Sequence, residues 1–131
     1  MNRIMLAGMA ALGLCAVAAG TPAVAQNAPF ANRGADKDAA VDKLEAVAVK
    51  LEADSKKKPK DAKLKDKTAE AYYQAGYACE YSKVLAPKPK YRGALRLYRK
   101  ALAFNPKHPK ALAEKKQIED IYKGMGMPIP Q

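Results

Sequence analysis

The chain has 131 residues, 24 of them Lys or Arg and 13 Asp or Glu, for a formal charge of +11; it contains two cysteines and a single histidine. This length supports one small domain. One histidine cannot build a histidine-based metal centre. The only serines, Ser55 and Ser82, are each followed by lysine, and no Gly-rich phosphate loop is present, so the composition argues against an enzyme.

The N-terminus reads as a bacterial export signal. Arg3 provides a positive start, residues 4–19 carry no charge, and Ala23-Val24-Ala25 forms the small-x-small site of a signal peptidase. Cleavage is expected before Gln26, so residues 1–25 leave the fold and the mature chain is periplasmic or secreted. The apolar run is shorter than the roughly 20 residues that span a bilayer, and no transmembrane segment is expected after cleavage. Leu14 is too bulky to precede a lipidated cysteine at Cys15. Cleavage removes Cys15, and Cys79 then has no partner for an internal disulfide, although the compartment would permit one.

Residues 26–35 contain Pro29 and Gly34 with no apolar period and read as a disordered leader, with Phe30 its one bulky residue. The helical domain is expected over 36–124. Asp36 is placed to cap a first helix, whose stripe is Val41, Leu44, Val47/Ala48 and Leu51 and which stops before Pro59. A second helix is expected from Asp61, with Leu64, Thr68, Ala71/Tyr72, Ala75 and Cys79 on one face, losing definition near Val84 and Leu85. Residues 86–90, with Pro87 and Pro89, read as a break. The third helix, over 91–104, turns Ala94, Leu95, Tyr98, Ala101 and Leu102 inward and stops at Asn105-Pro106. The fourth, over 109–123, starts on Pro109 and carries Ala111/Leu112, Ile118 and Ile121/Tyr122. Gly124 suits a left-handed cap, and 125–131 reads as an extended tail that either enters a partner groove or folds back. No segment alternates with period two, so the fold class is all-α, a small antiparallel helical bundle.

One stretch carries more than periodicity. Ala71-Tyr72-Tyr73-Gln74-Ala75-Gly76 sets a small residue, two aromatics and a glycine on the second helix. Tyr91, Ala94, Tyr98, Ala101-Leu102 and Asn105-Pro106 follow on the third, and Ala111-Leu112 opens the next. In these positions the chain resembles the tetratricopeptide repeat family, as a single divergent repeat with one preceding helix and a C-terminal capping helix. Gly76, Ala94 and Ala101 lack bulk, so two helices can approach there while Tyr72 and Tyr98 fill the space between them. The sequence departs from the family in its 40-residue unit from Ala69 to His108, against a usual period of about 34. It departs again at Lys115-Lys116, where a complete next repeat carries Leu-Gly.

The resemblance implies a non-enzymatic protein–protein interaction module without a cofactor. First helices line the inner surface in that family, so Tyr73, Tyr77, Glu80 and Tyr81 are the implied contacts to an unidentified protein or peptide. The competing reading packs these tyrosines inside the bundle against the first helix. A second candidate surface is basic: Lys56, Lys57, Lys58 and Lys60 at one turn, with Arg92, Arg96 and Arg99 on the third helix. Such charge attracts an anionic envelope polymer or membrane surface, and otherwise simply solvates the fold. No motif for specific nucleic-acid binding is present. Cys79 falls on an apolar face and reads as a small buried hydrophobe, and His108 as a helix-boundary residue.

Overall fold

The computed structural model describes residues 34–131. The expected export signal and residues 26–33 of the expected leader lie outside the described residues. Four helices follow one another: α1 (Ala39–Lys57), α2 (Ala62–Glu80), α3 (Pro87–Phe104) and α4 (Pro109–Gly124). The protein is an all-α bundle. Central α2 packs on α1 and on α3, while α4 lies along α3 and touches α2.

Helix starts follow local chemistry, with two exceptions to the sequence expectation. Asp61 caps α2 as expected, its Oδ1 accepting the Leu64 N–H at 3.0 Å. For α1 the cap is Asp38 rather than Asp36: Asp38 Oδ1 accepts from Ala40 N–H at 2.9 Å. Its other carboxylate oxygen accepts from the Ser82 hydroxyl at 2.6 Å, a contact across 44 residues that local spacing does not reveal. The second exception is α3, which begins at Pro87, so 86–90 is a helix start and not a break. Both prolines fall in the first turn, where a backbone N–H has no intrahelical partner to lose. Ala86 C=O closes the turn by accepting from Lys90 N–H at 3.0 Å. Helix α2 ends at Glu80, short of Val84 and Leu85.

The chain ends also depart from expectation. Ala35, expected in the disordered leader, pairs with the α2–α3 connection: its N–H donates to Val84 C=O and its C=O accepts from Ala86 N–H, both at 2.9 Å. The left-handed residue after α4 is Gly126, at φ +66, not Gly124. Gly126 N–H donates to Lys123 C=O at 3.0 Å and Met127 N–H to Tyr122 C=O at 2.9 Å, the paired bonds of a Schellman closure. That turn sends the tail back, and Met127 and Ile129 pack against the core.

The core centres on the α2–α3 contact. Tyr72, Ala75, Ala94, Leu95, Leu97, Tyr98 and Ala101 are fully buried there. A Cβ on Gly76 would stand 2.7 Å from Tyr98 Cε1 and 3.3 Å from Leu97 Cβ, so this close approach requires glycine. Helix α1 presents a narrower and differently rotated face than its apolar stripe predicts. It buries Val41, Ala48 and Ser55, while Leu44 and Val47 stay 39% and 54% exposed. Polar contacts account for the rotation. Glu45 accepts a two-pronged bond from Arg96 at 2.7 and 2.8 Å. Glu52 accepts from Lys100 at 3.2 Å and from the Tyr72 hydroxyl. These bonds turn the 45/52 side of α1 toward its neighbours, and Leu44 and Val47 away.

Candidate functional site

Residues four apart on a helix share one line of its surface. Tyr73, Tyr77 and Tyr81 form such a line on α2, with Tyr81 as its C-cap. Ring centroids stand 5.9 Å apart between Tyr73 and Tyr77, and 4.5 Å between Tyr77 and Tyr81. Exposure rises steeply along the line, from 6% at Tyr73 to 42% at Tyr77 and 50% at Tyr81.

Helix α4 supplies the opposite wall. Lys110 Nζ lies 5.7 Å from the centre of the Tyr73 ring, and the Tyr81 hydroxyl donates to Glu114 at 3.4 Å. At the closed end the His108 ring lies tilted against Tyr73 with centroids 5.1 Å apart. Its Nδ1 accepts from Ala111 N–H at 3.1 Å and caps α4, so Nε2 carries the proton and donates to Glu70 Oε2 at 2.9 Å. Glu80 lies beneath the open end, 5% exposed, and accepts the Tyr98 hydroxyl at 2.6 Å. Burial pushes its carboxyl above the ordinary range; the Tyr98 bond works against this and the charge of Glu114 adds to it.

The four residues expected to face a partner therefore divide. Tyr77 and Tyr81 are exposed, whereas Tyr73 and Glu80 are buried. Tyr73 is covered by Tyr98 and His108. The sequence reading missed the wall across from them, Lys110 and Glu114. Their spacing of four, which sets both on one line of α4, was the available signal.

The basic residues do not come together as one surface. Lys56 pairs with Glu52 at 2.7 Å and Lys57 with Asp54 at 3.8 Å, while Lys58 and Lys60 are exposed at the α1–α2 turn. Arg96 is engaged with Glu45. Arg92 lies beside Tyr122 and the returning tail, where it lines a cavity of about 380 Å³ with Lys88, Met127 and Ile129. Arg99 is half-buried farther along α3. Since Arg96 is level with Glu45, the turn at Lys56 is about 16 Å further along α1 at 1.5 Å per residue.

Two groups with chemical potential serve the fold. The Cys79 thiol is buried and donates to Lys90 C=O at 3.3 Å, and burial pushes it up to about 11. Glu52 is held down at about 2, first by the bond from Lys56 and then by that from Tyr72. Among the described residues no helix is long and apolar enough to cross a membrane, and no three His, Cys, Asp or Glu side chains gather as a metal site. Compared with known protein families, curated proteins and solved structures, the chain has no match.

Proposed function

We propose that this protein is an exported, non-enzymatic protein–protein interaction module that holds an extended segment or helix of its partner along Tyr77 and Tyr81. The observation that carries the reading is the adjoining, half-exposed pair of rings beside α4. A tyrosine combines large apolar area with a hydrogen-bonding tip and loses little rotamer freedom on contact, which suits recognition. The small core consumes nearly every other ring: Tyr72, Tyr73, Tyr98 and Tyr122 are buried. The resemblance to tetratricopeptide repeats supports the same face, since α2 and α4 correspond to successive first helices, which line the inner surface of that family. The groups that could have served catalysis are otherwise occupied, with the Cys79 thiol buried and His108 capping α4.

Affinity capture from periplasmic extract tests the reading, with wild type set beside a Tyr77→Ala/Tyr81→Ala variant. Proteins retained by wild type are expected to be lost from the variant. Recovery of the same set by both removes this face from consideration. The alternative is electrostatic binding to an anionic polymer or membrane surface, favoured by exposed Lys58 and Lys60. It draws on fewer groups than the sequence suggests, because Lys56, Lys57 and Arg96 hold carboxylates. It calls for retention on heparin that falls steeply with salt and ignores the tyrosines.

A further inference from the structure

The open end of the α2–α4 face combines its two rings with two carboxylates, Glu80 and Glu114. The chain has 24 basic and 13 acidic residues, and about half of the carboxylates hold a basic side chain. Glu45 has Arg96, Glu52 has Lys56 and Lys100, Glu119 has Lys115, and Asp120 has Lys116. Among the described residues no ion pair reaches Glu80 or Glu114; Asp36, Asp38, Asp42, Asp61 and Asp66 also lack one, but of these seven Glu80 alone is buried, and it is within electrostatic reach of Glu114. The hydrogen bond to Glu80 comes from one neutral donor, the Tyr98 hydroxyl. Burying a carboxylate with so little compensation is costly, and a cation nearby offsets that cost.

The rings beside this pair offer the other half of a cation site. The negative face of an aromatic ring attracts ammonium and guanidinium groups. The same line of α2 already holds one, since Lys110 stands over Tyr73. One turn on, Tyr77 and Tyr81 expose their rings next to Glu114. We infer that this end of the face receives a basic side chain, an arginine or lysine of the partner segment, over Tyr77 and Tyr81 and ion-paired with Glu114, with Glu80 beneath. Arginine fits best, because its planar guanidinium both stacks on a ring and bonds a carboxylate through two N–H groups. The net positive charge of the chain opposes a basic partner at a distance. At ordinary salt that repulsion is screened beyond about 10 Å, so contact chemistry at this face decides. The inference rests on the reading of this face as an interaction surface.

Isotope-labelled protein titrated with Ac-Gly-Arg-Gly-NH2, its norleucine analogue and its glutamate analogue tests the inference, read at the amide signals of Tyr77 and Tyr81. The arginine peptide is expected to shift these signals with a Kd of roughly millimolar order. The norleucine peptide is expected to bind about fivefold more weakly, and the glutamate peptide more weakly still. Glu114→Gln should weaken the arginine peptide about fivefold and leave norleucine unchanged, with circular dichroism unaltered. Equal binding of arginine and norleucine, both reduced by Tyr77→Ala/Tyr81→Ala, overturns the cation preference while leaving the interaction face standing. Failure of all three peptides to move these signals overturns the inference, and the capture experiment then judges the face independently.

Discussion

Gly76 faces the ring of Tyr98 across the α2–α3 contact, so closely that a methyl group at position 76 would stand 2.7 Å from Cε1 and 2.8 Å from Cδ1. The Tyr98 ring is fully buried and stacked on Tyr73 at 6.0 Å, and its hydroxyl is tied to Glu80, so it cannot swing aside. Overpacking such a core costs about 1–3 kcal/mol, against up to about 1 kcal/mol gained by removing glycine from a helix. Gly76→Ala is therefore expected to lower the melting temperature. Gly124→Ala is its control: nothing lies within 4 Å of a Cβ there, so thermal denaturation should show no loss and a small gain. A stabilised Gly76→Ala protein would show that the two helices do not nest at this point.

Ser55 presents the opposite opportunity. Its hydroxyl is buried on the α1 seam and has no hydrogen-bond partner among the described residues. An unpaired buried hydroxyl costs about 1–3 kcal/mol, and alanine is also the better helix former. Ser55→Ala should raise the urea midpoint without changing the slope of the transition. A lowered midpoint would reveal a partner that the geometry does not provide.

Glu80 makes stability depend on pH in an uncommon direction. Its folded carboxyl titrates above the ordinary 4.5, chiefly because burial disfavours the charged form. The folded chain therefore keeps a proton that the unfolded chain has already released. The contribution from this group is fully present below 4.5 and is lost as pH rises through the raised folded value. Glu80→Gln keeps an acceptor for Tyr98 and removes the charge. Denaturation measured across pH 4 to 8 should find the variant more stable at neutral pH and lacking this decline. A variant less stable at pH 7 would mean that the charge itself is needed by the fold.

His108 joins three contacts through one ring: the α4 cap, the bond to Glu70 and the tilted ring contact with Tyr73. His108→Ala is expected to cost about 2 kcal/mol, of which the cap accounts for about 1. His108→Asn should recover the cap portion alone. Equal stability of the two variants by chemical denaturation would show that capping is not what the imidazole supplies.

Much of the helical plan could be read locally. Pro59, the Asn105-Pro106 stop and Pro109 each act on their own turn, so the helix boundaries next to them followed from residue chemistry alone. The closeness of α2 and α3 was legible in Gly76, Ala94 and Ala101, because small side chains at helical spacing have few other uses. The binding face was half legible. Spacing aligned Tyr73, Tyr77 and Tyr81, but nothing local distinguished the buried ring from the exposed ones.

By itself, then, the sequence determined that the described chain is helical and where most of its helices stop, since caps, prolines and apolar period act over a few residues. Only the tertiary structure decided how each helix is rotated and how deep each side chain lies. Ser82 selected Asp38 over Asp36, Arg96 and Lys100 turned α1 away from its Leu44 stripe, and Tyr98 with His108 covered Tyr73 while leaving Tyr77 and Tyr81 to solvent. Each of those outcomes depends on a partner many residues away, and burial is a property of the neighbour that arrives, not of the residue that waits for it.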